Sequence, residues 1–479
     1  MSIISNKYRV LVVFIGFLCL VSVCSNYVVM NFTFICMKND MSFTRDDRGN
    51  ETSPVSLFDY TPNEKKYIMW AVAAGTIIGT FPVNYVFVRF GGRWTFFLAG
   101  VISVIATTLI PLAAQTSFHA LLAARFCQGL AFAADFAAIG LLTVRWAPLS
   151  ETAIFLGALT SFTNFSSVLT NAVSGAICEG FGWRTAFYAH AVMGSVFFIL
   201  WAIVYNDDPE KKVSADELRK IRKNKSEQHL KTKNVEVPYR KLLTSPIVLC
   251  VWLNAFAEMS IIVFLHTYAP IFFNRILKFS VAQTGFLLAL SVFIPLPLKL
   301  VGGIISDKAK CFSERGKMLF FNTISVGLVG VLLGCLGFIP QSLHYVSVVL
   351  FSVIFSCLCL NVAGFYKCAT LHTRQFAHVV ISTIQWMKSV ALITGPALVA
   401  AIVKNEESVG QWRTVLCILG GIMFVVSFSN KYFENNDIQK KLTIANILAL
   451  CVFTDKPAEY TMADANEKTV KYEVNAEEP

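Results

Sequence analysis

Twelve apolar runs, each about the length needed to cross a lipid bilayer as a helix, govern what this chain can fold into. They fall at 10–36, 67–88, 95–114, 119–144, 152–177 and 184–205, then at 247–270, 283–305, 318–338, 345–371, 378–402 and 413–432. The composition agrees, with 55% of the 479 residues hydrophobic and 15% charged, whereas a soluble domain carries about 25% charged residues. The fold class expected is an all-α polytopic membrane protein with twelve transmembrane helices. The first run, preceded by Lys7 and Arg9, is too long for a signal peptide and lacks a small-residue cleavage site, so it reads as a retained helix.

The polar breaks set the organisation. Residues 1–206 hold six runs, with an extracellular or luminal loop at 38–66; 207–241 form a basic cytosolic linker; 242–432 hold six more; 433–479 form a cytosolic tail. Within that tail Leu442 to Phe453 is apolar but too short to span. The formal net charge is +11, which in a soluble chain would suggest nucleic acid. Here Lys7, Arg9, Arg89, Arg93, Arg145, the linker cluster, Lys308, Lys310, Arg315 and Lys317 fall on one side of the twelve-span layout. The positive-inside rule makes that side, and both termini, cytosolic, so the charge reads as topology and no nucleic-acid partner is expected. The sequon at Asn50-Glu51-Thr52 then faces outward, where it can be glycosylated. The 13 cysteines lie mostly inside apolar runs with no CxxC pair, which excludes a disulfide framework and a zinc site. No HExxH, GxSxG or P-loop occurs, so no enzyme and no cofactor is expected beyond a coupling ion.

The halves echo each other. Trp183-Arg184-Thr185 opens the sixth run and Trp412-Arg413-Thr414 the twelfth; Arg89-Phe90-Gly91-Gly92-Arg93 follows the second, while Ser306-Asp307-Lys308 and Arg315-Gly316-Lys317 follow the eighth. A 6+6 duplication places a binding site between the halves near mid-depth. Further motifs are Arg125-Phe126-Cys127-Gln128-Gly129, Trp146-Ala147-Pro148-Leu149-Ser150-Glu151, Gly182-Trp183-Arg184 with Phe187-Tyr188, Asp208-Pro209, Gly302-Gly303 with Ser306-Asp307, and Lys404-Asn405 with Trp412. By these the chain resembles the major facilitator superfamily, and within it the anion transporter family of sialin, vesicular glutamate transporters and sodium–phosphate cotransporters (solute carrier family 17). It departs at Val29, Met69, Phe132 and Glu258, where relatives carry Arg, His, Glu and Arg. These departures disfavour vesicular glutamate transport.

An ionisable group inside a span costs about 2.5–3.5 kcal/mol on insertion scales and normally faces a cavity or a partner. Arg125 has the planar fork that grips a carboxylate or phosphate bidentately; otherwise it braces helices. Lys367 and Lys388 are further candidates for substrate binding. Glu258 either takes up H+ or Na+ or forms a permanent pair with Lys388. Asp135 either replaces the acid missing at Phe132 or bonds a neighbouring helix. His266 reads as a satisfied polar residue and Lys299 as a snorkelling one. The resemblance also implies a gating latch in the cytosolic loops from Arg89, Arg93, Asp307, Arg315 and Lys317, its first copy lacking an acid because Val88 stands there. Small residues around Gly75, Gly79 and Gly157 suggest close packing. Pro295, Pro297 and Gly395-Pro396 suggest interrupted helices. The function expected is secondary transport of small organic anions or inorganic phosphate, coupled to H+ or Na+, by a monomer in the plasma membrane or a vesicular or lysosomal membrane. A carrier of neutral or cationic solutes and a non-transporting receptor or scaffold are the rivals.

Overall fold

The computed structural model describes residues 8–38, 40–42, 55–148, 152–222, 244–308, 313–373 and 377–428. Asn50, most of the linker and the tail with its Leu442 to Phe453 run lie outside the described residues. Six spans form the first half: α1 (Tyr8–Met37), α2 (Pro62–Phe90), α3 (Gly92–Thr116), α4 (Phe118–Phe132, then Ala134–Trp146), α5 (Thr152–Thr160, then Phe162–Phe181) and α6 (Trp183–Val204). Six form the second: α7 (Pro246–Ile271, prolonged by a π turn at Phe272–Ile276), α8 (Val281–Phe293, then Leu296–Lys308) and α9 (Glu314–Asn322, a π segment at Thr323–Leu328, then Val329–Phe338). Next come α10 (His344–Leu358, a 3-10 turn at Cys359–Ala363, then Phe365–Thr373), α11 (Ala377–Ile402) and α12 (Val409–Phe428). A two-residue antiparallel ladder pairs β1 (Met41–Ser42) with β2 (Val55–Ser56) in the α1–α2 loop.

Ten of these spans are long and apolar enough to cross a membrane on composition alone. α11 adds an apolar stretch over Trp386–Ile402, and α5 is the more polar span; both stand at the contact between the halves, α5 on α8 and α11 on α2. There a helix is sheathed by protein, and α5 buries Ser166, Ser167, Thr170, Asn171 and Ser174 along one face. The face bearing the stretch between α6 and α7 is called the linker face, and the one bearing the α1–α2 loop the loop face.

Glycine sets how close the helices lie. A Cβ on Gly75 of α2 would strike the Phe126 carbonyl of α4, and one on Gly129 of α4 would strike the Val72 carbonyl of α2. Across the halves, a Cβ on Gly175 of α5 would lie 2.9 Å from the Gly285 Cα of α8. Backbone-to-backbone approach of this kind is what small residues give a membrane bundle. Gly157, by contrast, faces open space and is no packing contact.

Toward the loop face the halves are tied. Lys65 of α2 is ion-paired with Glu406 after α11, and Asn31 Nδ2 donates to Thr267 Oγ1 at 3.4 Å. The Ala282 N–H donates to Glu179 Oε2 at 2.9 Å. The Trp70 indole donates to the Ile393 carbonyl at 2.8 Å. That carbonyl lies in the turn before Pro396, where α11 runs straight through the proline instead of breaking. Pro396 removes only the bond to the Leu392 carbonyl, and α11 is packed along both α2 and α7, so the expected interruption does not occur. In α8 the break does occur, at Ile294 and Pro295.

Gly129→Ala is expected to lower stability by about 1–3 kcal/mol through forced separation of α2 and α4. A reduced thermal unfolding midpoint of the purified protein checks this, with Gly421→Ala, whose Cβ would meet nothing within 4 Å, as the unchanged control.

Candidate functional site

Arg125 is fully buried on α4. Its Nη1 donates to the Tyr27 carbonyl at 2.8 Å and to Gln128 Oε1 at 2.7 Å. Gln128 in turn donates from Nε2 to the Asn26 carbonyl at 2.7 Å and to Thr107 Oγ1 at 2.8 Å, and Asn26 Nδ2 donates to Ser103 Oγ at 2.9 Å. One edge of the guanidinium is thus woven into a network joining α1, α3 and α4. The other edge lacks an oxygen acceptor: Nε has no partner, and Nη2 faces the Met69 sulfur at 3.8 Å. A thioether is a weak acceptor, so that edge keeps its capacity for an anion.

About two turns beyond Arg125, α4 steps at Ala133 and then places Asp135, fully buried with both carboxylate oxygens unbonded among the described residues. Lys388 of α11 crosses from the other half. Its ammonium stands 4.7 Å from the Phe132 ring centroid and 5.8 Å from that of Phe162. Asp135 and Cys24 act on it electrostatically. A cation over aromatic faces is held by their quadrupoles, which is worth about 2 kcal/mol or more when desolvated.

The Glu258–Lys388 pair entertained from sequence is not formed. Glu258, on α7 and fully buried, accepts instead from Asn361 Nδ2 of α10, while its Oε2 is unbonded. Lys299 of α8 is the cation that acts on it. The reason is rotational: Lys388 turns toward the first half and Glu258 toward α10 within its own half. Lys367 is half-buried in the last segment of α10. His266 stacks on Phe355 with ring centroids 5.5 Å apart.

At the linker face, Asp207, just past α6, collects the polar groups of the α2–α3 turn. Its carboxylate accepts the Gly92 and Arg93 N–H groups at 2.7 and 3.2 Å and pairs with Arg145 at 3.3 Å. Arg93 donates from Nε and Nη2 to the Ala202 carbonyl at 3.0 and 2.6 Å. Gly91 makes the turn at φ 83°, and a Cβ there would lie 2.6 Å from the carboxylate. The acid absent at Val88 is therefore supplied from the far end of the half. Arg89 points elsewhere, to the Tyr85 hydroxyl at 2.6 Å. In the second half Asp307 falls near the end of α8 and Arg315 at the start of α9, their side chains outside the described ones, and Lys317 of α9 is buried. Sequence reasoning assigned no role to Asp207, Gln128 or Asn361; Gln128 stood inside the quoted Arg125 motif and Asp207 beside the quoted Asp208-Pro209, whereas Asn361 had no legible signal.

Asp207→Ala leaves two turn N–H groups without their acceptor and Arg145 without its counter-charge, while Arg145 keeps its bond to the residue-207 carbonyl. It is expected to cost about 1.5–3 kcal/mol, as charged hydrogen bonds do, read as a lower thermal midpoint that Asp207→Glu partly restores.

Residues 13–396 match the sequence profile of the Major Facilitator Superfamily. The chain is 24% identical to sialin of Ovis aries, over 89% of this chain and 88% of that protein. It is also 24% identical to sodium-dependent phosphate transport protein 1 of Mus musculus, over 88% and 92%. Among solved structures, a D-xylose-proton symporter superposes with a TM-score of 0.69 at 14% identity, covering 95% of this chain and 100% of that one. Twelve spans in two sixfold halves and a profile match over most of the length place this multi-pass membrane protein in the Major Facilitator Superfamily.

Proposed function

We propose that this chain is a secondary transporter that carries small organic anions or inorganic phosphate by alternating access, coupled to H+ or Na+. The observation that carries the reading is Lys388: a buried cation of one half lodged against aromatic rings of the other, with no ion-paired carboxylate among the described residues. Burying a charge without a hydrogen-bonded counter-charge is costly. The site is therefore poised for an incoming anion, which Lys388 meets from the second half and the open edge of Arg125 from the first. Lys367, deeper toward the linker face, adds positive charge along the way out. The names of the relatives point in the same direction, since one is a sodium-dependent phosphate transport protein.

In this reading Lys65–Glu406 and Trp70–Ile393 hold the loop face closed, and exchange is through the other, linker face. The basic residues make that face cytosolic, in a plasma or vesicular or lysosomal membrane, and the carrier works as a monomer. Arg93 with Asp207, and Asp307 with Arg315 and Lys317, brace that face; Arg89 lies at its edge. The unbonded oxygens of Asp135 support a second reading, a carrier of neutral or cationic solutes, in which Asp135 and Lys388 neutralise each other.

Counterflow in proteoliposomes separates the two. Lys388→Gln is expected to abolish exchange of an organic anion or phosphate, at least 10-fold, and Lys388→Arg to retain part of it. Arg125→Lys, which keeps charge but loses the fork, should raise KM. Anion exchange by Lys388→Gln at the wild-type rate would exclude the anion reading.

A further inference from the structure

The second half contains a polar cluster that anion binding does not use. Asn254 and Glu258 lie one turn apart on α7, so both face the same way. Asn254 Oδ1 accepts from Asn322 Nδ2 of α9 at 3.1 Å, and Glu258 Oε1 accepts from Asn361 Nδ2 of α10. Gly364 closes the cluster from α10. A Cβ there would lie 3.3 Å from the N, Cα and Cβ of Asn322, and its N–H donates to the Asn361 carbonyl at 2.9 Å. All four polar side chains are buried. Three of their oxygens have no partner among the described residues: Glu258 Oε2, Asn361 Oδ1 and Asn322 Oδ1.

Bare buried oxygens on three helices are the opposite of what a finished structural network shows, because each such acceptor left unpaired carries the full cost of its desolvation. They are also the ligand type that a hard cation requires. From this convergence we infer that Glu258, Asn361 and Asn322 form a Na+ site at mid-depth in the second half. It rests on the transporter reading for its purpose, as the coupling-ion site, but not for its existence.

The chemistry selects the ion. One carboxylate matches one positive charge, so the site favours a monovalent cation. A proton would satisfy Glu258 alone and leave Asn361 Oδ1 and Asn322 Oδ1 bare, whereas a metal ion engages all three. A half-turn of the Asn361 amide exchanges its NH2 for its oxygen at Glu258; the amide thus stands in for the ion before the ion arrives. Across this same stretch α10 is wound as the 3-10 turn Cys359–Ala363, which turns carbonyls away from regular α-helical bonding, as discontinuous transporter helices do at ion sites. Lys299 of α8 faces Glu258 as a rival positive charge, and Tyr366 also feels the carboxylate. Na+ entry therefore displaces the pull of Glu258 on Lys299, a change in the field of α8 that an anion-binding pocket can register.

The test is ion-dependent thermal unfolding of the purified full-length protein, with NaCl titrated against choline chloride at fixed ionic strength and KCl in parallel. A ligand that binds only the folded state raises the midpoint saturably. Na+ is expected to raise it by about 2 °C or more beyond choline, with K+ weaker. Glu258→Gln and Asn361→Leu should each lose the shift while keeping a cooperative transition in choline. Should either variant fail to fold, Asn361→Ala and the wild-type ion series carry the test. Equal midpoints in Na+, K+ and choline overturn the site, as does a Na+ shift that survives in both Glu258→Gln and Asn361→Leu. A shift driven by pH alone, lost in Glu258→Gln, replaces Na+ by a proton and also overturns it. No substrate is needed. A missing Na+ shift in a protein that still exchanges anions defeats this inference alone, and absent anion exchange with an intact shift defeats only the anion reading.

Discussion

The structure depends on one constraint: charge placed at mid-depth in a membrane must be shielded from lipid and given something to face. Arg125, Asp135, Glu258 and Lys388 are all withdrawn from the surface, and each is only partly satisfied. The bundle around them follows from that. Helices carrying polar groups, α1, α4 and α5 in one half and α7, α10 and α11 in the other, sit inward, where other spans cover them. Glycines let α2 lie against α4 and α5 against α8 with backbone touching backbone, so the charged layer is enclosed without a thick wall of side chains.

The irregular turns fall in the same layer. α4 steps at Ala133 two residues before Asp135, and α10 leaves the α-helical path at Cys359–Ala363, which includes Asn361. Local departures from the helix re-aim side chains and release backbone groups only where protein covers them. The two halves use the layer differently. The first half engages only one edge of Arg125, through Nη1, with its own backbone and side chains, while the second half leaves oxygens bare around Glu258.

Much of this was legible in the sequence. Hydropathy located all twelve spans to within a few residues, because lipid imposes a length on every apolar run. The buried ionisable residues were legible too, since any charge in such a run must turn inward. Their pairings were not. Which neighbour Glu258 meets depends on the rotation of α7 against α10, and an all-apolar surround leaves no periodicity from which to read that rotation. The same holds for Lys388, whose partners Phe132 and Phe162 read as plain core residues. Asp207 escaped because the acid expected beside the α2–α3 turn arrives from the other end of the half. The persistence of α11 through Pro396 escaped because the helices packed along it, α2 and α7, lie far away in sequence.

That indole has a consequence for motion. Trp70 and the Ile393 carbonyl satisfy each other only while the halves are closed at the loop face. Drawing α2 and α11 apart strips a donor and an acceptor in surroundings that offer no substitute, so the seam has to admit solvent as it parts. Any separation of these two helices at the loop face is therefore tied to wetting of their seam as well as to loss of the Lys65–Glu406 pair.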